Sequence, residues 1–327
     1  MNEKTKSKSV VGVDISLDTT TLAVVDIRGN ILGTDSFSTT DHPTPTDFVA
    51  CLTERILTLV ENYGGYENIR SVGISAPSGN FQTGCIENPP NLPWPGNTPL
   101  AAMLRDRVGV SVAVGNDAHT TALGEYVFGS AHGMKNFIVV TLGHGLGSCI
   151  FVDGKPYLGK SGFAGEVGHS VLVDRGRRCA CGQEGCFEAY CGERGVLYTA
   201  KEVMAEHPEV ESLMRNCENL TPKQVSIFCE QGDSLAIETY RRTGYYLGWG
   251  LANVATTTNP EAIIVAGGIS HAGHWLLDTA RESFDQHVFR NIRGKVAIEQ
   301  SLLEGRERDV LGASALAWEV PEYSLFK

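Results

Sequence analysis

The 327-residue sequence predicts two α/β domains that face each other across a cleft. Its length exceeds that of an ordinary single domain, and 42% hydrophobic with 20% charged residues is a normal globular balance. The second observation is an internal repeat, because residues 10–33 and 137–159 both run strand, turn, strand, tight turn and end in Leu-Gly. Duplication of a hairpin alone would also explain the repeat. Further α/β pattern after each hairpin favours two related domains.

The first half of the chain reads as strands and helices in a regular order. Apolar runs predict strands at 10–14, 20–27, from about 31, at 71–76 and at 111–114. Apolar residues at helical spacing predict a helix over 46–62, which Gly64 and Gly65 end, and a shorter helix follows at 101–108. Five prolines between 89 and 99 predict an extended loop.

The second half repeats this order and then becomes more helical. Strands are predicted at 136–141, 147–152 and 262–265, the last followed by Ala-Gly-Gly. Helical spacing predicts helices over about 235–254, 275–288 and 310–318. The predicted domains are 1–117, with a C-terminal helix at about 308–327 packing back on it, and a larger domain over 118–307 that contains the cysteine cluster.

Charge and targeting signals restrict the partners. A formal net charge of −11 argues against nucleic acid as the main partner, because phosphate backbones need a basic face. The first nine residues have no apolar stretch of signal-peptide type behind them, and no apolar run has the length of a membrane helix. We expect a short tail there, no membrane partner and a cytoplasmic location. Nine cysteines, an odd number, argue against a disulfide framework.

One segment groups a histidine with three cysteines. The candidate ligands are His169, Cys179, Cys181 and Cys186. Three thiolates and one imidazole make a closed tetrahedral zinc sphere, which has no open position for a catalytic water. Gly182 and Gly185 allow a tight loop, and Cys191 is expected to lie outside the sphere. The alternative is a set of free buried cysteines. Because the ligand types and the glycines between them suit a metal loop, we predict a structural Zn²⁺.

This segment resembles the zinc motif of the ROK family (repressors, open reading frames and kinases). The matching pattern is His-x9-Cys-x-Cys-Gly-x2-Gly-Cys-x-Glu, preceded by Gly-Glu-Val-Gly-His at 165–169. The resemblance extends from about residue 11 to 317. It implies two actin-like, ribonuclease-H-like ATPase domains flanking a cleft, a homodimer, and a glucokinase-like activity with ATP and Mg²⁺.

The resemblance also implies a sugar site. Asn116 and Asp117 follow a predicted strand, although such pairs often only cap helices. Asp117 is expected to be the general base, because a sugar hydroxyl must lose its proton as the O–P bond forms. Carboxylates suit sugar hydroxyls, since each accepts two hydrogen bonds. The full set of expected sugar-binding residues is Gly79, Asn91, Asn116, Asp117, Glu166, His169 and Glu188.

The expected nucleotide side depends on glycines, which let backbone N–H groups approach phosphates. The resemblance assigns this side to Asp14, which would orient hydrated Mg²⁺, and to Gly143, His144, Gly145, Gly267 and Gly268. The sequence departs from the family here. Asp14 is followed by Ile-Ser-Leu-Asp where the family has x-Gly-Gly-Thr, and His144 replaces a threonine.

The predicted function is transfer of phosphate from ATP to the 6-hydroxyl of a hexose, with glucose as the first expectation. An N-acetylhexosamine kinase for N-acetylmannosamine or N-acetylglucosamine is an alternative, and fructose and allose are other candidate substrates. The altered loops at Ser16, Leu17, Asp18 and His144 leave a sugar-binding protein without phosphotransfer as a further alternative. A sugar-sensing repressor is disfavoured by the acidic charge and by the nine residues before the first strand.

Overall fold

The computed structural model describes residues 8–89, 92–303 and 305–322. Asn91 lies outside the described residues, as do residues 1–7 of the expected N-terminal tail. The chain divides into two compact units. Unit 1 comprises the described parts of 1–133, 158–163 and 302–327, and unit 2 those of 134–157 and 164–301. Each unit has its own apolar core.

Unit 1 is built on a five-stranded sheet with helices against it. Its strands are β1 (Ser9–Ile15), β2 (Thr19–Asp26), β3 (Ile31–Ser38), β4 (Ile69–Ser75), β5 (Gly79–Asn80), β6 (Cys85–Glu87), β7 (Asn97–Thr98) and β8 (Ser111–Gly115). Its first helices are α1 (Pro45–Asn62), α2 (Leu100–Val108) and α3 (Asp117–Phe128). The main sheet has the order β3-β2-β1-β4-β8, antiparallel through β1 and parallel beyond it, and β5, β6 and β7 form a small second sheet.

Local sequence explains the elements that carry the unit 1 core. Thr44 caps α1 by accepting a hydrogen bond from the Asp47 N–H, and a proline stands in its first turn. The apolar residues of α1 recur at helical spacing and are buried against the sheet, as predicted. In the described part of the proline-rich segment, residues 89 and 92–99, there is no helix, and its β7 pairs with β6.

Unit 2 repeats the strand order of unit 1. Its elements are β9 (Phe137–Leu142), β10 (Leu146–Val152), β11 (Lys155–Pro156), α4 (Glu188–Cys191), α5 (Glu193–Glu206), α6 (Pro222–Glu230), α7 (Ser234–Thr258), β12 (Ala262–Ala266), α8 (His274–His287) and β13 (Ala297–Gln300). The sheet order β11-β10-β9-β12-β13 is again two antiparallel pairs followed by two parallel ones. The predicted internal repeat of two α/β units is therefore confirmed.

Two helices form the centre of the unit 2 core. The Asp233 carboxylate caps α7 by accepting from the N–H groups of Leu235 and Ala236. Gly244 and Gly248 of α7 let it approach the backbone of α8 closely, since a Cβ at Gly248 would lie 2.1 Å from the Ala280 carbonyl oxygen. Among the described residues, no helix combines the length and apolar character needed to cross a membrane.

The helix α9 (Gly305–Glu319) belongs to unit 1 although it follows unit 2 in the chain. It lies against β1, β4 and α3, and small residues make this contact close. A Cβ at Gly73 would stand 2.0 Å from the Ala313 carbonyl oxygen. The observed division differs from the predicted boundary after Asp117, since α3 also lies in unit 1, where it packs on α9.

Candidate active site and metal centre

Asp14 lies at the end of β1, beside the end of β4. Asp14 and Ser75 are register partners in the parallel pair, and the Ser75 hydroxyl hydrogen-bonds to the Asp14 carboxyl. Ser75 in turn accepts a hydrogen bond from Thr120 Oγ1 of α3, 3.0 Å away. Burial raises the pKa of Asp14 from 3.8 to about 7, and the negative charge of Asp309 adds to this effect. The network connects three elements at one end of the unit 1 sheet.

Asn116 and Asp117 stand at the start of α3, directly after β8. Asn116 Oδ1 accepts the His119 N–H at 2.7 Å, so the capping role considered for this residue is present. The Asp117 side chain is open to solvent but closely surrounded by protein atoms, and this desolvation raises its pKa. A solvent-accessible carboxylate with a raised pKa is well suited to accept a proton.

Gly79 is placed beside the same strand end. A Cβ there would lie 2.3 Å from the Gly115 carbonyl oxygen, so only glycine permits this approach of β5 to the residue before Asn116. His119, one turn into α3, is buried, and burial lowers its pKa to about 4. Its Nε2 has no hydrogen-bond partner among the described residues. The imidazole is therefore neutral, and it packs edge-on against Phe81.

A charged pair near the start of α9 was not anticipated from the sequence. Arg308 donates to Asp309 Oδ1 from Nε at 2.7 Å, and one of its terminal nitrogens lies 2.6 Å from the same oxygen in an ion pair. Both side chains are largely buried, with 17% and 27% exposure. Their charges act on Asp14 and on Asp117. The sequence signal that could have indicated this pair is a run of charged residues, 307–309, followed directly by small or apolar residues of the same predicted helix.

The four predicted zinc ligands come together in unit 2. The candidate ligand atoms of His169, Cys179, Cys181 and Cys186 all lie within 4.8 Å of one another. Cys181 Sγ is 3.7 Å from Cys186 Sγ, and Cys179 Sγ is 3.8 Å from His169 Nδ1. Two sulfurs bound to tetrahedral zinc at about 2.3 Å would lie roughly 3.8 Å apart. The donor types and spacings thus fit a zinc ion held through Nδ1 and three sulfurs.

Backbone turns explain why these four residues meet. His169 ends a 3₁₀ turn (Val167–His169), and the Cys179 N–H donates to the Gln183 carbonyl to close the cysteine loop. Gly185 has φ +79°, and a Cβ there would lie 1.8 Å from the Val173 carbonyl oxygen. Cys191 lies apart, with its thiol near the Thr243 carbonyl, as expected.

The carboxylate Glu188 connects the metal cluster to the glycine turn after β9. Glu188 Oε2 accepts the Leu146 N–H at 2.9 Å, and its Oε1 is 3.5 Å from Cys179 Sγ. A Cβ at Gly145 would lie 2.4 Å from the same Oε2, so a larger residue there would displace the carboxylate. Glu166 is exposed, and its carbonyl accepts the His169 N–H. All these predicted residues lie in unit 2, whereas Gly79, Asn116 and Asp117 lie in unit 1.

The two predicted glycine turns of the nucleotide side are neighbours in unit 2. A Cβ at Gly267 would stand 2.3 Å from the Leu142 carbonyl oxygen, next to Gly143. Between these turns and the start of α6 lies a mainly apolar cavity of about 650 Å³, whose lining includes Gly143, His144, Glu193, Lys223, Gly268 and Ile269. Its size and apolar walls, with a few polar groups, are typical of a small-molecule site.

The residues that depart from the family pattern are engaged locally. The Ser16 hydroxyl donates to the Thr19 carbonyl at 2.7 Å within its own hairpin, so this donor is already used. Leu17 and Asp18 are exposed. His144 Nδ1 lies 2.5 Å from Glu193 Oε2 at the cavity, and its ring is almost fully exposed. The hydrogen bond to Glu193 fixes one ring nitrogen and leaves the other facing away from Glu193.

Comparison with known proteins gives one consistent result. The model of the ROK family matches residues 10–320. A glucokinase from Streptomyces coelicolor is 35% identical over 315 residues, covering 94% of this chain and 97% of that protein. The solved ROK glucokinase from Streptomyces griseus, in complex with glucose and AMPPNP, is 32% identical with a TM-score of 0.77, covering 95% and 100%. A xylose repressor from Caldicellulosiruptor bescii is 30% identical, covering 79% of this chain and 66% of the repressor.

Proposed function

This chain belongs to the ROK family, and on that premise we propose that it is an ATP-dependent sugar kinase that phosphorylates the 6-hydroxyl of a hexose, glucose first. The two predicted α/β domains are of the actin-like ATPase type found in its kinase relatives. One observation supports the chemistry most directly: Asp117 is an accessible carboxylate with a raised pKa, in the same unit as the Asp14 network.

In the proposed reaction, the 6-hydroxyl of the sugar attacks the γ-phosphorus of ATP. The O–P bond forms as the bond to the β-phosphate oxygen breaks, and ADP leaves. Asp117 accepts the hydroxyl proton, and its raised pKa makes it a stronger base than an ordinary aspartate. Asn116 presents its amide nitrogen, because its oxygen caps α3. Mg²⁺ enters with ATP and neutralises phosphate charge, and Asp14 is the residue proposed to orient it.

The sugar is proposed to contact Glu166, His169 and Glu188 as well. His169 would hold zinc through Nδ1, which leaves Nε2 for a sugar hydroxyl. Glu188 is held by the Leu146 N–H and lies against Cys179, so the metal loop sets its direction. A bound zinc ion would supply a fixed geometry to this loop, with no open position for chemistry.

The nucleotide is proposed to occupy the 650 Å³ cavity of unit 2. The Gly143 N–H closes the turn by donating to the Gly145 carbonyl, so the other backbone N–H groups of the turn at Gly143 and Gly145 would face phosphates. The turn at Gly267 and Gly268 would face the nucleoside. A cytoplasmic location and the homodimer that the family resemblance implies complete the proposal. Light scattering of the purified protein would test the dimer.

Replacement of Asp117 tests this function. In a coupled ADP-release assay with a panel of glucose, mannose, fructose, allose, N-acetylglucosamine and N-acetylmannosamine, the wild type should turn over glucose fastest. Asp117→Asn should lower kcat by about 10³-fold or more, because the base is lost. Glucose affinity, measured by calorimetric titration, should change by less than about threefold, since the amide still hydrogen-bonds. Asp106→Asn, at an exposed position of α2, is the matched control and should retain wild-type turnover.

A sugar-binding protein without phosphotransfer is the second candidate. Two features of the β1–β2 turn favour this candidate. The Ser16 hydroxyl donates to the Thr19 carbonyl of its own turn, and Asp18 is exposed. Measurable sugar binding without ADP release from any of the six sugars would support this candidate and contradict the kinase. Turnover retained by Asp117→Asn would contradict the role of Asp117 alone.

A further inference from the structure

The start of α9 is held over the end of the unit 1 sheet by three close contacts. A Cβ at Gly12 of β1 would lie 2.3 Å from the Val310 carbonyl oxygen, and one at Gly73 of β4 would lie 2.0 Å from that of Ala313. On the helix side, a Cβ at Gly312 would stand 2.4 Å from the Thr120 carbonyl oxygen of α3. These contacts fix the register of α9 against both strands and against α3.

This register places the first turn of α9, which carries Arg308, close to β1 and to α3. Asp14 lies two residues beyond Gly12 on the same face of β1, while Arg308 lies about one helical turn before Gly312. Asp117 lies about one turn before Thr120 in α3. Burial dominates the raised pKa of both carboxyls, and the charge of Arg308 lowers the pKa of each while Asp309 raises it. One guanidinium is therefore near both groups, in the same unit.

A positive charge at this position could stabilise the negative charge of the phosphoryl group in the proposed reaction. The transferring phosphoryl group spreads negative charge over its oxygens, and enzymes stabilise that charge with cations. In this chain the turn after Asp14 carries Ser16, Leu17 and Asp18, with an acid and no glycine pair. The Asp14 and Asp117 carboxylates add further negative charge.

We propose that Arg308 binds the γ-phosphoryl group of the donor and that Asp309 orients its guanidinium. The inference rests on the proposed kinase function. Asp309 Oδ1 accepts a hydrogen bond from Nε and forms an ion pair with one terminal nitrogen, and these two contacts restrain the guanidinium. No described residue accepts a hydrogen bond from the second terminal nitrogen, so its two N–H groups can donate to phosphate oxygens. Arg308 is thus a catalytic residue supplied by the last helix, and Asp309 is a positioning residue.

Nucleotide binding tests the proposal without requiring turnover. The affinities of Mg²⁺–AMPPNP, which keeps a third phosphate, and of Mg²⁺–ADP are measured by calorimetric titration for the wild type and for Arg308→Ala. We expect AMPPNP to bind the variant about 10- to 100-fold more weakly, the value of one charged hydrogen-bonding group. ADP affinity should change by less than about threefold. Equal AMPPNP affinity in both proteins, or an equal loss for both nucleotides, would overturn the proposal.

Turnover adds a second readout with matched controls. Arg308→Ala should lower kcat for glucose by about 10²- to 10³-fold, Arg308→Lys should lower it less, and added guanidinium ion should partly restore the alanine variant. Arg105→Ala removes an exposed arginine that is also paired with the next residue, and it should behave as wild type. If the wild type turns over no hexose, the kinase proposal fails, while a selective loss of AMPPNP affinity in Arg308→Ala still supports Arg308. Unchanged kcat in Arg308→Ala would overturn its role.

Discussion

At the scale of single residues, the buried position of Asp14 makes the stability of the folded protein depend on pH in a measurable way. Burial and Asp309 raise the pKa of Asp14 to about 7, while its unfolded value is 3.8. Between these values the folded state keeps a proton that the unfolded state releases. The contribution of Asp14 to the free energy of unfolding is therefore fully present below pH 4. It falls as pH rises from about 4 to about 7 and is lost above that value.

Asp14→Asn should consequently stabilise the protein at pH 8. The amide cannot ionise, so we expect a gain of about 1–3 kcal/mol in the free energy of unfolding at pH 8, with a much smaller gain at pH 5. Urea denaturation of the nucleotide-free protein at both pH values measures this. Asp26→Asn is the control, because the Asp26 carboxylate accepts hydrogen bonds from Arg28 and Asn30 and its loss should destabilise. A pH-independent effect of Asp14→Asn would contradict the argument.

Residues of the site differ in how far the sequence predicts them. The zinc ligands are close in sequence, so donor type and spacing predict their meeting. Glu188 shows the limit, since its bond to the Leu146 N–H joins segments far apart in the chain. Arg308 depends on the register of α9 against β1 and α3. That register is set by glycine contacts, which carry no hydrophobic pattern.

At the scale of elements, the metal loop links zinc to the sugar residues. His169 is both a proposed ligand and a proposed sugar contact, and Glu188 lies against Cys179. Removal of zinc with a strong chelator should weaken sugar binding by about tenfold or more while the helical circular dichroism is retained. Added Zn²⁺ should restore affinity. Cys181→Ser should reproduce the loss, and Cys217→Ser, outside the cluster, should not. Unchanged sugar affinity in a protein shown to be zinc-free by mass spectrometry would contradict the link.

Elements also differ in how clearly the sequence marks them. The face of α1 is predicted because its buried residues are apolar and recur at helical spacing. The start of α3 buries His119, Thr120, Thr121 and Glu125, so its core face does not read as apolar. Packing explains this, since Gly124 contacts Gly312 of α9 and polar side chains of α3 bond to neighbouring strands and loops.

At the scale of the whole molecule, the repeat predicted both α/β units but not which segments of the chain belong to each unit. Hairpin similarity is visible because β1 with β2 and β9 with β10 are short-range pairs. The assignment of α9 to unit 1 depends on contacts between segments at opposite ends of the chain. Such contacts follow from close packing against β1 and β4, which local patterns do not encode.

Two separate cores should give two unfolding transitions with different sensitivities. Gly73→Ala places a methyl group against the Ala313 backbone within unit 1 and should lower the stability of that unit by about 1–3 kcal/mol. Zinc removal acts within unit 2, where all four proposed ligands lie. Differential scanning calorimetry should then show one transition that shifts with Gly73→Ala and another that shifts with chelation, because a two-domain chain need not unfold in one step. A single transition moved equally by both changes would show that the units unfold together.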